Sequence, residues 1–301
     1  MKKTTTLLIL AVMLLLNGCS SVPITGRKQL NLVSDEQVLS SSIASYNSFM
    51  TSAKQANAIS KDQSKTAQVI RVGQKIAAAT EAYLRATGLE SEINNFAWEF
   101  NLVKSDEMNA WCMPGGKIVV YEGLMKIVNS DDDLAVVLGH EVAHAVAKHS
   151  NERMSQQVAA QAGAQVLAGV LSGQSYQTQT IAQQVYGLGA QYGVMQPFSR
   201  KHESEADYMG LILMSMAGYN PDVAVTFWQK MASNSSASVP EIMSSHPSDA
   251  KRIADIQKNL PKVKADYYKP KVVETQAVTT KKTTTAKKKT TTAKKSTTKK
   301  K

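Results

Sequence analysis

The chain has 301 residues, 43% of them apolar, which is enough for one sizeable globular domain with appendages or for two small domains. Its formal net charge of +11 would suit a nucleic-acid-binding protein, but ten lysines lie within residues 281–301 and two more at positions 2 and 3. The remaining chain carries a net charge of about −1, which argues against a specific nucleic-acid partner.

Residues 1–18 have the pattern of a lipoprotein signal peptide. Two lysines precede an apolar stretch, residues 7–16, that is too short to be a stable membrane span. The stretch ends in Leu-Asn-Gly-Cys, which resembles the bacterial lipobox, so we expect lipidation of Cys19 and anchoring to a membrane. Ser20 favours the outer membrane, facing the periplasm, as the location. An ordinary secretory signal with a chance cysteine is the alternative.

Helices and then two strands are predicted in the first half of the mature chain. Residues 19–34 have the pattern of a tether, and residues 35–88 show apolar side chains at helical spacing. Apolar and polar residues then alternate over 96–103, which predicts a strand with one buried face, and a Pro-Gly-Gly turn leads into a second strand at 117–121. Cys112 has no disulfide partner once Cys19 is acylated, and its apolar neighbours indicate packing rather than nucleophilic chemistry.

The next predicted helix, residues 131–149, carries the most informative motif of the chain. Ser130 followed by Asp133 is typical of a helix start. Within the helix, His140-Glu141-Val142-Ala143-His144 places two imidazoles four residues apart on one face, close enough to share a metal ion. This is the HExxH signature of zinc metalloproteases, in which the glutamate takes a proton from the attacking water.

A catalytic zinc site needs a third protein ligand and one position left for water, so the ligand is sought further along the chain. A helical pair is predicted at 155–171 and 177–192, and a further helix at 199–217. In that helix Glu203 and Asp207 are four residues apart and share a face. We expect Glu203 to bind the zinc ion and Asp207 to accept a hydrogen bond from the distal nitrogen of a ligand histidine.

Three neighbouring residues are excluded from the ligand set by their position. His149 is predicted to be a surface or helix-terminal residue, because it lies five residues after His144 and points away from the ligand face. His202 is rotated about 100° around its helix from Glu203, and Glu205 is expected to face away.

The C-terminal part begins with a helix after Pro221 and a short one at about 248–259. Residues 281–301 repeat lysine and threonine, with no apolar side chain larger than alanine, and are expected to be disordered. This tail is interpreted either as an arm for an anionic surface or as a solvated segment without a partner.

Taken together, these motifs resemble a family of zinc metallopeptidases. His140–His144 with Glu203-x-Glu205-Ala206-Asp207 is similar to the family of the heat-shock protease HtpX, the CAAX prenyl protease and the Oma-type proteases, and most similar to its soluble periplasmic lipoprotein members. Further matching blocks lie at 108–124 and at 245–252, and the resemblance covers roughly residues 95–255. The sequence departs from the family pattern in two ways. It does not show the transmembrane helices of the integral-membrane members, and it carries the lysine-rich tail in addition.

The resemblance implies the roles of several residues. It assigns one zinc ion per chain to His140, His144 and Glu203, with Glu203 rather than Glu205 as the acidic ligand. Glu141 is the implied general base, and His246 either stabilises the transition state or binds the metal and holds the enzyme inactive. The implied substrate-binding residues are Asn109, Gly115 and Gly116, with a cleft edged by the strand at 117–121 and the preceding segment 109–110. Arg252 is also implied to bind substrate, as a weaker candidate than His246 for stabilising the oxyanion.

We therefore predict an α+β, mostly helical protein whose gluzincin-like metalloprotease domain has a small antiparallel sheet at the edge of the active site. The predicted divisions are a signal peptide (1–18), a tether (19–34), the peptidase domain (35–262) and a disordered tail (263–301). The predicted function is zinc-dependent endopeptidase of the bacterial cell envelope, acting on misfolded or misassembled proteins. The alternatives are a chaperone-like assembly factor with latent peptidase activity and a cell-wall binder that uses the lysine tail.

Overall fold

A computed structural model of the protein describes residues 19–233 and 250–269. Helices dominate this part of the chain, with a two-stranded and a three-stranded sheet beside them, which confirms the mostly helical α+β class. Among the described helices, none combines the length and the apolar character needed to cross a bilayer.

Residues 19–34 are packed onto the body of the protein, which corrects the expectation of a tether. Strand β1 (Cys19–Ser21) pairs antiparallel with β2 (Lys28–Leu30), and together with their turn they form the N-terminal hairpin, residues 19–30. Val22 in the turn is 1% exposed and belongs to the main hydrophobic core. Beyond the hairpin, the Leu32 N–H donates a hydrogen bond of 2.8 Å to the Ser155 hydroxyl. An apolar side chain and backbone hydrogen bonds thus fix a segment whose composition suggests a linker.

Two long helices follow, where the sequence predicts helical structure. Helix α1 spans Asp35–Gln55 and α2 spans Gln63–Ala86, and the Ser34 and Asp62 side chains cap their N-termini. A single helical turn, Glu90–Ile93, then leads into the sheet.

The three-stranded sheet is mixed rather than antiparallel as predicted. Strand β5 (Lys117–Tyr121) lies in the centre, parallel to β3 (Glu99–Val103) and antiparallel to β4 (Ala110–Met113). The turn between β4 and β5 contains two glycines with φ values of +94° and +76°, which other residues rarely adopt. Because β5 is flanked on both sides, β3 and β4 are the edge strands of this sheet and β5 is not.

Helix α3 (Asp131–Val146) carries the HExxH motif through the centre of the molecule. Ser130 caps its start by accepting a hydrogen bond from the Asp133 N–H, as the sequence predicts, and residues 134–143 are all buried. The helix ends earlier than predicted, because Lys148 adopts a left-handed conformation with a φ of +54°. The Lys148 ammonium group pairs with Asp35 and with Glu92 at 2.7 Å, and these contacts hold the break in place.

The remaining helices follow α3 along the chain. The predicted helical pair is α4 (His149–Val170) and α5 (Tyr176–Leu188), and a π-helical stretch, Gly189–Met195, runs directly into α6 (Gln196–Met216). Helix α7 spans Val223–Ser233 and α8 spans Ala250–Tyr267. Val263 in α8 is fully buried, and the helix includes residues 263–267, the first five residues of the predicted tail. The predicted signal peptide, residues 1–18, and the lysine-rich tail, residues 281–301, lie outside the described residues.

Candidate metal centre

The two histidines of α3 point to one place. His140 is 1% exposed, and its Nε2 atom lies 3.0 Å from the Nε2 atom of His144. Both atoms face α6, where Glu203 is also buried. The Glu203 carboxylate oxygens lie 3.3 Å from His140 Nε2 and 3.5 Å from His144 Nε2. The helical spacing therefore brings together the three residues that the sequence singles out as ligands.

The three donors fit a zinc ion. Donor atoms around one tetrahedral zinc, at about 2.0–2.1 Å from it, are separated by roughly 3.3 Å. The three observed separations bracket that value, and two imidazole nitrogens with one carboxylate form a ligand set typical of catalytic zinc. Within residues 19–233 and 250–269, this is the one group of histidine, cysteine or acidic donors that lie close enough together to hold a metal ion.

Two glycines allow α3 and α6 to approach closely enough to share the ion. A Cβ atom added at Gly139 would lie 2.8 Å from the Gly210 carbonyl oxygen, and one added at Gly210 would lie 2.8 Å from the His140 nitrogen. Contacts this short are not tolerated, so the small residues set the distance between the helix that carries the histidines and the helix that carries Glu203.

Asp207 lies behind His140, on the side away from Glu203. Its Oδ1 atom is 2.9 Å from His140 Nδ1, which leaves the Nε2 atom of the ring for a metal. Burial and the nearby Arg252 both disfavour the charged imidazole, but hydrogen bonds to Asp207 and Glu203 outweigh them and raise the pKa of His140 to about 9. Binding of a cation therefore displaces a proton from this ring.

Arg252 holds Asp207 and does not face solvent as a substrate-binding residue would. It is 3% exposed, donates a hydrogen bond of 2.7 Å to Asp207 Oδ1, and lies over the Trp228 ring at 4.0 Å from the ring centroid. Burial would raise the pKa of Asp207, but the Arg252 charge and the hydrogen bond to His140 hold it below its ordinary value. The geometry thus favours a positioning role over the substrate contact that we expected.

His149 is helix-terminal, one of the two predicted alternatives, because it begins α4, but it is not on the surface. The break at Lys148 turns the chain back, so that His149 Nδ1 lies 2.9 Å from His144 Nδ1 and its ring is 4% exposed. Its other nitrogen, Nε2, is 3.1 Å from Glu205, which is itself buried and faces inward, contrary to expectation. Lysine at the break gives no sequence signal of a left-handed residue, as glycine or asparagine would, so the prediction continued the helix.

His202 and Glu152 extend this buried polar group. The His202 ring stacks on His149 at a centroid distance of 4.2 Å, and its Nε2 atom is 2.9 Å from Glu152. Burial opposes ionisation of Glu152, yet hydrogen bonds from His202 and Arg27 lower the pKa of Glu152 to about 2. His202 lies outside the ligand set, as predicted, but within the network that surrounds it.

A cavity of about 810 Å³ opens beside the ligands. Glu141 and His144 form part of its wall, together with Trp111 and Cys112 of β4 and with residues of α4 and α5. Burial, together with the nearby Glu141 charge, raises the pKa of the Cys112 thiol well above its ordinary value. This is consistent with a packed thiol rather than a nucleophile.

None of the four predicted substrate-binding residues, Asn109, Gly115, Gly116 and Arg252, lines this cavity. The Gly115 and Gly116 carbonyl oxygens accept hydrogen bonds of 3.0 Å from the N–H groups of Ala97 and Glu99, respectively. The Asn109 carbonyl oxygen accepts one from the Tyr121 N–H. The backbone of these residues is thus used in hydrogen bonds of the sheet and its turns. His246, predicted to be catalytic, lies outside the described residues.

The chain is similar to known peptidases. The family model described as "Peptidase family M48" matches residues 63–260. The chain is 35% identical over 173 residues to the mitochondrial metalloendopeptidase OMA1 of Schizosaccharomyces pombe, covering 57% of this chain and 49% of the relative. The OMA1 of Arabidopsis thaliana is 36% identical over 168 residues, or 56% of this chain and 33% of the relative. The beta-barrel assembly-enhancing protease of Escherichia coli K12 is 27% identical over 189 residues, or 59% and 36%. The chain thus spans from a third to about half of the length of these relatives.

Proposed function

Because the chain belongs to peptidase family M48, we propose that it is a zinc-dependent endopeptidase whose active site is built from α3 and α6. The observation that carries the proposal is the convergence of His140, His144 and Glu203, with Glu141 beside them in the cavity wall. We propose these three residues as the zinc ligands, one ion per chain, and Asp207 as the residue that orients His140.

Glu141 is the residue that moves the proton. A bound zinc ion supplies Lewis acidity, which acidifies water and polarises the scissile carbonyl group. Glu141 lies one residue after the first ligand and lines the cavity that substrate would enter. Its carboxylate accepts the proton of the attacking water and later delivers that proton to the leaving amine.

The cavity suits an extended peptide. In the three-stranded sheet, β4 has β5 as its one neighbouring strand, and its residues Trp111 and Cys112 lie in the cavity wall. A substrate strand that adds to the free edge of β4 would pair through its main chain, which tolerates many side chains. The predicted binding edge therefore moves from β5, which is central, to β4.

The defining experiment compares metal content with proteolysis of an unstructured substrate such as casein. We expect Glu141→Gln to keep one zinc ion and to lose about 10²- to 10⁴-fold in turnover, whereas Glu203→Ala loses both metal and activity. Glu36→Gln, an exposed carboxylate on α1, is the matched control and should behave as wild type. Full turnover by Glu141→Gln would refute the proposed mechanism.

His246 has two proposed roles, which one variant separates. If it stabilises the transition state, His246→Ala lowers turnover with zinc bound. If it holds the enzyme inactive, the same substitution raises turnover of the latent protein. Unchanged turnover in both latent and activated enzyme would exclude both roles.

We propose that the protein works in the bacterial cell envelope on misfolded or misassembled proteins. The similarity to a relative named beta-barrel assembly-enhancing protease supports this setting, and it also supports the second candidate, a chaperone-like assembly factor with latent peptidase activity. In cells that lack the protein, Glu141→Gln distinguishes the two. A peptidase role predicts that misfolded outer-membrane proteins persist in the variant, whereas an assembly role predicts complementation.

Lipidation at Cys19 is proposed as the means of attachment, with the outer membrane, facing the periplasm, as the site. The chain offers its own control, because it has two cysteines and the other, Cys112, lies in the cavity wall. Cys19→Ser should abolish labelling with radioactive palmitate and release the protein from membranes, whereas Cys112→Ser should change neither. The tail, residues 281–301, is proposed as an additional contact to anionic surfaces, and its deletion should then weaken binding to envelope fragments.

A further inference from the structure

The second histidine ligand, His144, has a buried partner of its own. Its Nε2 atom faces His140 and Glu203, and its Nδ1 atom lies 2.9 Å from Nδ1 of His149. Two ring nitrogens at this distance share one proton, so one of them donates and the other accepts. Which of the two donates decides whether His144 presents a lone pair to a metal.

The far side of His149 indicates the direction of this hydrogen bond. Its Nε2 atom lies 3.1 Å from a carboxylate oxygen of Glu205, and a carboxylate can only accept. The proton of a neutral His149 is therefore on Nε2, and its Nδ1 atom is an acceptor. His144 then carries its own proton on Nδ1, which leaves the Nε2 lone pair directed at the other two ligands.

The N-terminal hairpin holds the carboxylate in this arrangement. The Thr25 hydroxyl donates to Glu205 Oε1, and the Arg27 Nε–H donates to Glu205 Oε2 at 2.7 Å. Arg27 also binds Glu152 of α4 with two hydrogen bonds, of 2.7 and 3.0 Å. One arginine of the hairpin thus connects α4 with α6 behind the metal ligands.

We propose that His149 and Glu205 are positioning residues that fix the tautomer and orientation of His144, and that the N-terminal hairpin supports the metal centre through Thr25 and Arg27. The arrangement matches the one that Asp207 and Arg252 provide for His140. The proposal rests on the proposed zinc site and extends it to residues from a different part of the chain. Partners of this kind raise the affinity of a site for metal by orienting its ligands.

The test measures Zn²⁺ affinity of the full chain by competition with a chromophoric chelator, and the absorption spectrum of the Co²⁺-substituted protein. His149→Leu removes the acceptor, and we expect a 10- to 100-fold loss of affinity and an altered Co²⁺ spectrum. His149→Asn places an amide oxygen near the position of Nδ1 and should recover most of the affinity. An affinity of His149→Leu equal to that of wild type would overturn the proposal, and so would an Asn variant as weak as the Leu variant.

The role of the hairpin has its own matched pair of variants. Thr25→Val removes a hydroxyl that binds Glu205, and we expect a several-fold loss of Zn²⁺ affinity. Ser155→Ala removes a hydroxyl that binds the same N-terminal segment at Leu32 and Val33 but does not touch Glu205, and should leave the affinity unchanged. Equal effects of the two substitutions would show that general loosening, rather than support of Glu205, is responsible, and would overturn this part.

Nitrogen-15 spectra of histidine in the wild-type zinc form test the proposal without any substitution. We expect His144 to be protonated at Nδ1 and His149 at Nε2. A proton on Nδ1 of His149 would overturn the proposal, even if the variants fail to fold. Wild-type protein that binds neither Zn²⁺ nor Co²⁺ would refute the proposed function as well, whereas normal zinc binding with the opposite tautomers would refute only this inference.

Discussion

At the scale of single residues, Asp207 and Arg252 form a deeply buried ion pair at the metal centre. Both side chains are at most 5% exposed, and each contacts the other through two hydrogen bonds. An ion pair removed from water contributes little net stability while it is intact, but loss of one partner leaves a buried charge without its counter-charge. Substitution of either residue alone is therefore expected to lower the free energy of unfolding.

Asp207→Asn should be costly even without metal. The amide keeps the shape of the side chain but removes the carboxylate nearest to the buried Arg252 charge and leaves the more distant Glu203, at 3.7 Å, so we expect a loss of about 3 kcal/mol in the free energy of unfolding. Asp255→Asn is the control, because it breaks the exposed Lys251–Asp255 pair on the same helix and should cost at most about 0.5 kcal/mol. Urea unfolding in the presence of a chelator measures both, and equal losses would contradict the argument.

Glu152 should govern part of the acid sensitivity of the fold. Its pKa of about 2 lies below the ordinary value of 4.5, so the unfolded chain binds more protons than the folded protein between these values. The stability that Glu152 contributes is complete above about pH 4.5 and is lost as the pH falls towards 2. We expect Glu152→Gln to lower the Tm clearly at about pH 6 and much less at about pH 2.5. A difference that does not depend on pH would contradict this assignment.

The residues that the sequence identified are those related by helical spacing. His140, His144, Glu203 and Asp207 are found together because intervals of four residues place side chains on one face of a helix. The prediction that His149 points away from the ligands was wrong because the same rule was applied across a helix break. Residues that meet through tertiary packing, such as Arg27 with Glu205, leave no periodic signal in a single sequence.

At the scale of elements, the packing of α3 against α6 determines the geometry of the proposed metal site. Gly139 and Gly210 face each other at this contact, and neither position has room for a Cβ atom. The two helices supply all three proposed ligands, so a change in their separation moves Glu203 relative to both histidines.

Gly210→Ala should therefore impair both stability and metal binding. The added methyl group would lie 2.8 Å from the His140 nitrogen, and we expect a loss of about 1–3 kcal/mol together with weaker zinc affinity. Gly169→Ala in α4 is the control, because nothing lies within 4 Å of its added Cβ atom. It should leave stability unchanged or raise it by up to about 1 kcal/mol. Thermal unfolding and chelator competition report the two effects.

The sheet shows where element-level prediction from sequence ends. Alternation and turn residues gave strands near their observed positions, because these signals are local. The order of strands is set by long-range pairing, and the parallel pairing of β3 with β5 has no local signature. For this reason the cleft edge was assigned to β5 together with residues 109–110, although β5 is the central strand and Ala110 begins β4.

At the scale of the whole molecule, a metal ion shared by α3 and α6 would act as a cross-link through the core. A ligand that binds only the folded state stabilises it by about 2.7 kcal/mol when its free concentration is 100 times the Kd. We expect a chelator to lower the Tm of the wild type and re-addition of Zn²⁺ to restore it. Glu203→Ala should show no response to either treatment. A zinc-dependent Tm in that variant would place the ion elsewhere.

The packed N-terminal hairpin changes what an acylated Cys19 would mean. The buried Val22 lies three positions after Cys19, so an extended chain spans about 10 Å between them. A lipid at Cys19 would therefore hold the folded domain close to the bilayer surface, because almost no flexible linker lies between them. The proposed active site could then reach proteins that are stalled at the membrane. Proteins in the aqueous compartment would have to diffuse to the membrane surface to be cleaved.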